Sequence, residues 1–150
     1  QRMPKDPKIT FGHPANYPYL SVATPSSHDT STVRGWWEEN PALSQRFYNE
    51  ILGNSFSSPF FCEPYIVKQI IVQHLYSPSM WAIFAIQDLL GIDGNLRLQD
   101  AGAERINNPG NPNHYWRYRM HLSIEDLLEQ TWFNQVLRDE LKASGRMEIY

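Results

Sequence analysis

A single cysteine, Cys62, among 150 residues leaves no partner for an intrachain disulfide. Packing alone has to hold the fold, and a reducing compartment is expected. Positive charge is also scarce: 13 Lys and Arg stand against 16 Asp and Glu, for a formal net charge of -3. Phosphate-backbone binding therefore has no electrostatic footprint, and nucleic acid is not an expected partner. The longest apolar stretch, Met80 to Ile92, is broken by Gln87 and Asp88 and falls well short of the roughly 20 residues of a membrane span. No membrane association is expected. The start has no signal-like hydrophobic region and no Asn-x-Ser/Thr acceptor occurs, which makes the cytoplasm the expected location. His13, His28, His74, His114 and His121 show no ligand spacing, alone or with Cys62, so no metal is expected.

What the sequence does contain is the material of a core, 41% apolar and 13% aromatic residues, in the range of globular proteins. It opens at Gln1 in a Pro-rich stretch (Pro4, Pro7, Pro14, Pro18, Pro25) and reads as a piece of something longer. Tyr19 to Ala23, between Pro18 and Pro25, predicts a short buried strand. A polar turn, Ser26 to Thr32, leads into a helix from Val33. Asn40-Pro41 predicts a second helix start, with Leu43, Phe47, Ile51 and Leu52 at helical spacing up to Gly53. Glu63-Pro64 reopens a helix with Val67, Ile70, Ile71 and Leu75 on one face, ending near Ser77-Pro78. Met80 to Ile86 is continuously apolar and predicts a strand covered on both faces, although a buried helix has the same pattern. Gln87 to Arg119, with its Gly, Pro and Asn residues, predicts a long loop. Ser123 to Asp126 is a near capping box for a last helical region closed by Gly145. Strands separated by helical crossovers indicate an α/β fold with a parallel sheet, whose working residues follow the strand C-termini.

His28 and Asp29 stand at such a position. Ser27, His28 and Asp29 are too close in sequence to assemble a triad, and Asp29 fits a helix-cap role as well as a functional one. Trp36-Trp37 fits a core position better than a sugar-stacking platform. Asn107-Asn108-Pro109-Gly110 and His114 to Arg119 gather amides, aromatic rings and Arg, a set suited to neutral hydroxylated ligands. Cys62 reads as an inert small residue.

The run from Ser27 to Trp37 contains H-D-x-x-T-x-R-G-W-W, which resembles the amylomaltase signature. Gln87-Asp88-Leu89-Leu90-Gly91 and Arg105-Ile106-Asn107-Asn108-Pro109-Gly110 resemble that family's Q-D-L-L-G and R-M-N-x-P-G. By these three ordered motifs the sequence is similar to the 4-α-glucanotransferases of the disproportionating-enzyme type. Asn111 to Arg119 looks most like the large branch that includes the plant cytosolic enzyme. It departs from the shorter amylomaltases, which have Thr after the Pro-Gly and an N-W-x-W-R ending.

The resemblance implies a (β/α)8 TIM barrel acting on α-1,4-glucans by a retaining double displacement, with no metal or organic cofactor. In that scheme an Asp attacks the anomeric carbon, a Glu protonates the leaving sugar, and a third carboxylate steadies the oxocarbenium-like transition state. The third carboxylate maps onto Asp29, the sugar-binding His beside it onto His28, and an Asn of the donor subsite onto Asn107. The nucleophile and acid/base belong to earlier strands. A barrel takes about 250 residues, so residues 1–150 are expected to be its C-terminal portion, about strands 7 and 8 with their helices. The partners implied are α-1,4-glucans and the rest of the parent barrel. The alternatives are an α-glucan hydrolase of the same clan and a non-catalytic glucan-binding module that kept the sugar-contacting loops.

Overall fold

The computed structural model describes residues 1–147 apart from positions 3, 5 and 7. Strand β1 (Val22–Ala23) and strand β2 (Trp81–Ala82) pair in parallel, Val22 opposite Trp81 and Ala23 opposite Ala82. Backbone bonds extend the contact at either end, from Met80 N–H to the Tyr19 carbonyl at 2.7 Å and from Ile83 N–H to the Ala23 carbonyl at 2.9 Å. The expected parallel neighbours are therefore present. Between them run helices α1 (Val33–Glu39), α2 (Pro41–Glu50) and α3 (Pro64–Leu75); after β2 come α4 (Ile86–Leu90), α5 (Ile124–Glu129) and α6 (Thr131–Ala143).

Three expectations need correction. The regular strands are much shorter than Tyr19 to Ala23 and Met80 to Ile86, and Ile86 opens a helix. From Ala85, whose backbone is still extended, the chain turns to satisfy the Asp88 and Leu89 N–H groups with the Ala85 carbonyl at 3.1 and 3.2 Å. Nor are the strands covered on both faces. Leu20, Val22, Trp81 and Ile83 are all more than half exposed, with Ala23 alone of β1 buried. A strand gains cover only from neighbours, and among the described residues each has the other and no third. Finally, Gln87 to Arg119 is not one long loop: it contains most of α4 and a 3-10 turn at Ala101–Glu104.

The helices start where their capping chemistry dictates. Thr32 Oγ1 accepts the Gly35 N–H ahead of α1, and Asn40 Oδ1 accepts the Leu43 N–H ahead of α2, with Pro41 at the first helical position. Ser123 and Asp126 form a reciprocal capping box for α5, and the final helical region breaks at Gln130 before α6. After α2 the chain reverses at Gly53, whose φ of 71° is open to glycine at little cost.

Helix α3 is the centre of the core. Ile66, Val67, Ile70, Ile71 and Leu75 are buried, in one cluster with Trp37 of α1, Phe47 of α2, Leu90 of α4 and Phe133 of α6. The approach of α4 to α3 requires Gly91, where a Cβ would lie 3.1 Å from Val67 Cγ1 and from the Asp88 carbonyl. One polar side chain, His74, sits fully buried in this core between the rings of Tyr17 and Phe84. Its Nδ1 donates to the Ile70 carbonyl at 2.7 Å while Nε2 has no partner among the described residues. The neutral Nδ1–H tautomer is thereby fixed, and burial pulls the imidazole down to about 4.

An unfolded His takes its proton near 6.5 and this folded one only near 4. Between those values the unfolded chain binds more protons, so this group makes stability fall as pH falls. Urea unfolding at pH 7 and pH 4 should show the native chain losing up to about 3 kcal/mol more than His74→Gln, at 1.36 kcal/mol per unit. Other titrating groups are common to both proteins and cancel in the difference. Equal losses would mean that His74 is protonated in the fold.

Candidate active site

The segment that leaves β1 carries His28 and Asp29 on a tight turn. Within it the Ser27 N–H donates to Thr30 Oγ1 at 2.9 Å, and the Thr30 N–H donates to the Ser27 carbonyl at 3.2 Å. Ser27 is engaged with Thr30, so no Ser-His-Asp triad forms. The helix-cap role belongs to Thr32, which frees Asp29. His28 Nε2 lies 3.3 Å from Asp29 Oδ2, both side chains about half exposed.

Below the turn, two buried carboxylates join distant parts of the chain. Asp88 of α4 accepts the Val33 N–H at 2.8 Å on one oxygen and the Ser26 hydroxyl on the other. Burial pushes this carboxyl above its ordinary range, opposed by those two donors and by the charge of Arg2. Glu104 pairs with Arg34 of α1, both nearly inaccessible, and accepts weakly from Thr32 Oγ1 at 3.4 Å. Arg34 also donates to the Leu98 and Gln99 carbonyls at 2.8 and 3.3 Å. Burial drives Glu104 up to about 7 even with the guanidinium beside it. The Gln87 amide donates to the Glu104 carbonyl at 3.3 Å, closing the connection from α4 to the 3-10 turn.

That turn delivers Asn107. The Arg105 side chain folds forward so that Nε donates to the Asn107 carbonyl at 2.8 Å, and the His114 ring bonds the Ile106 carbonyl at 2.9 Å. With its backbone held, Asn107 extends its amide to Asp29, Nδ2 donating to Oδ1 at 2.7 Å. The tilted Trp116 ring lies over His28 with centroids 4.9 Å apart. His28, Asp29 and Asn107, 78 positions apart at the extremes of that bond, thus meet at one exposed point. Beside it a groove of about 320 Å³ runs between Ser26, Ser27 and His28 on one side and Ile83, Phe84 and Ala85 on the other.

Two other candidates lie elsewhere. Trp37 is core, its ring N–H donating to the Pro59 carbonyl at 3.0 Å, and Trp36 packs edge-on to Phe11 and Phe47. Cys62 is buried, and burial raises its thiol far above the reactive range. Residue-by-residue reading missed Asp88 and Glu104. The available signal was motif membership for Asp88 and, for Glu104, a position just before Arg105.

The model of the family described as 4-alpha-glucanotransferase matches residues 1–124. The chain belongs to the 4-alpha-glucanotransferase family. It is 42% identical over 146 residues to "4-alpha-glucanotransferase DPE2" of Oryza sativa subsp. japonica, covering 97% of this chain and 15% of that protein. It is 34% identical over 122 residues to the 4-alpha-glucanotransferase of Chlamydia trachomatis serovar D, covering 81% and 23%. Among solved structures, amylomaltase from Streptococcus agalactiae in complex with acarbose has a similar fold, with a TM-score of 0.64 at 21% identity over 90% of this chain and 24% of that one. The chain therefore spans under a quarter of the length of these relatives. In this member of the 4-alpha-glucanotransferase family, the three motifs that carried the resemblance are also the parts in contact. Thr32 and Arg34 of the first meet Glu104 at the edge of the third, and Asp88 of the second holds both ends of the turn in the first.

The Arg34–Glu104 pair gives a stability prediction. Arg34→Met leaves a buried carboxyl without its cation and should lower the unfolding free energy by about 3–5 kcal/mol. Arg34→Met with Glu104→Leu should recover part of that loss, because two apolar side chains need no ionic compensation. Urea denaturation of the three proteins checks it; equal losses for the single and double variants would contradict the assignment.

Proposed function

We propose that this chain is the closing part of the catalytic barrel of a 4-α-glucanotransferase, supplying about its seventh and eighth strands, and that the whole enzyme transfers α-1,4-glucan segments between glucans in the cytoplasm. In this reading Asp29 stabilises the positive charge of the oxocarbenium-like transition state, and His28 and Asn107 bind the donor sugar. The observation that carries it is the meeting of Asn107 with Asp29 beside His28. These are the same three residues that the motif resemblance singles out, and they arrive from loops far apart in sequence. Trp116 over His28 adds an aromatic face of the kind that covers the apolar side of a sugar ring.

The chemistry follows from where charge develops. A neutral glucan in the ground state has little for a carboxylate to attract, whereas the anomeric carbon becomes cationic as its bond breaks. The Asn107 N–H fixes one Asp29 oxygen and leaves the other toward His28. The open faces of β1 and β2, with Leu20, Val22, Trp81 and Ile83 exposed, fit strands that continue into the rest of a barrel. The nucleophile and proton donor lie outside this chain in this reading.

Two outcomes test it. The isolated chain should leave maltotriose unchanged; formation of longer maltodextrins would place a complete catalytic set within these residues. In the full-length enzyme, Asp29→Asn should lower kcat by about 10²- to 10³-fold, or roughly 3 to 4 kcal/mol, with a modest change in KM. Near-normal kcat would remove Asp29 from the reaction. Products from maltotriose also separate transfer from hydrolysis: glucose with longer maltodextrins means transfer, and glucose with maltose alone means hydrolysis.

A further inference from the structure

Asp88 has been given no part in the reaction, and its surroundings point to one. Asp88 is 1% exposed, and its two carboxylate oxygens go to the two ends of another loop. One accepts the Val33 N–H at 2.8 Å and the other the Ser26 hydroxyl. Ser26 and Val33 bracket the turn that carries His28 and Asp29. The turn is closed within itself by Ser27 and Thr30. At its two ends Asp88, delivered by the helix after β2, works beside Arg2, whose guanidinium donates to the Pro25 and Ser31 carbonyls at 2.7 and 3.0 Å. Both oxygens are occupied below the turn, which leaves Asp88 no direct approach to a sugar.

We propose that Asp88 is a positioning residue for Asp29, setting the His28–Asp29 turn in register with the Asn107 loop so that the Asp29 carboxylate is already in place when positive charge develops. This rests on the role given to Asp29 above. A displacement of about 1 Å at a reacting group can cost 10²-fold in rate, and a turn that loses both bonds to Asp88, keeping those to Arg2, can move that far. The hydrogen-bonding requirement on Asp88 is for an acceptor toward Val33 and a polar partner for Ser26. Asn meets it, with its carbonyl oxygen taking the Val33 N–H and its amide donating to the Ser26 oxygen.

The test is a double-mutant cycle in the full-length enzyme, with initial rates on maltotriose and thermal melts for each protein. Asp88→Ala should lower kcat by about 10- to 100-fold with KM within about threefold. Asp88→Asn should stay within about threefold of the unsubstituted enzyme, and Asp88→Ala in an Asp29→Asn background should cost no more than about threefold further. A purely structural role would lower the melting temperature and multiply the kcat loss equally in both backgrounds. Equal multiplication, or an Asn variant as impaired as the Ala one, overturns the proposal while the role of Asp29 stands. Near-normal activity of Asp29→Asn alone overturns that role and this inference together. If Asp88→Ala does not fold, Ser26→Ala removes one of the two contacts and should show the same non-additivity with Asp29→Asn on a smaller scale; full additivity overturns the proposal.

Discussion

A carboxylate withdrawn from water must be given donors, and around the candidate site this requirement falls on Asp88. Its carboxyl has no solvent to turn to, so the Val33 N–H and the Ser26 hydroxyl have to converge on it. Their convergence sets the span of the turn between them, and with it the position of His28 and Asp29. Arg34 and Glu104 impose the same requirement one layer away, tying α1 to the 3-10 turn that leads into Asn107. Neither arrangement is the most stabilising use of the buried volume, since apolar side chains could fill it without desolvating charge. What these contacts supply is registration between loops that no regular secondary structure connects.

The site therefore has two parts with different physical character. The base is rigid: α3 and its buried neighbours form a continuous apolar core, Gly91 brings α4 close against α3, and Asp88 and Arg34 rise from that base. Of the candidate side chains above it, His28 and Asp29 are about half exposed and Asn107 is partly buried. Asp29 contacts both His28 and Asn107, and the Trp116 ring lies over His28. Under the proposed function, such a division suits a site that must meet a glucan chain and still keep one carboxylate oxygen in a fixed place.

Much of the helical architecture was legible in the sequence because its signals are local. Pro at the first helical position marks α2 and α3, Ser123 and Asp126 sit three apart as a capping box needs, and the spacing of Val67, Ile70, Ile71 and Leu75 reports a buried helix face. The strands were legible in order and direction but not in extent. The continuous apolar run from Met80 to Ile86 has the same pattern whether it ends in a strand or turns into a helix at Ile86, and its hydrophobicity does not reveal that Trp81 and Ile83 face outward. The cap role that the sequence left open for Asp29 is taken by Thr32, three residues later. Burial of Asp88 and Glu104 was illegible for a different reason. Their donors lie 55 to 72 positions away, and no local pattern encodes a contact of that range. Motif resemblance singled out His28, Asp29 and Asn107, residues from distant loops that the fold brings into contact, which periodicity cannot do.

The decisive measurement is the crystal structure of the full-length enzyme with acarbose bound, the ligand described for the Streptococcus agalactiae amylomaltase. The account predicts a sugar ring in contact with Asp29 and His28, with the Asn107 amide still on the Asp29 carboxylate or shared with a sugar hydroxyl, and with β1 and β2 continuing into a closed barrel. A ligand bound away from these three residues, or strands β1 and β2 lying at an edge that no other strand meets, would contradict it.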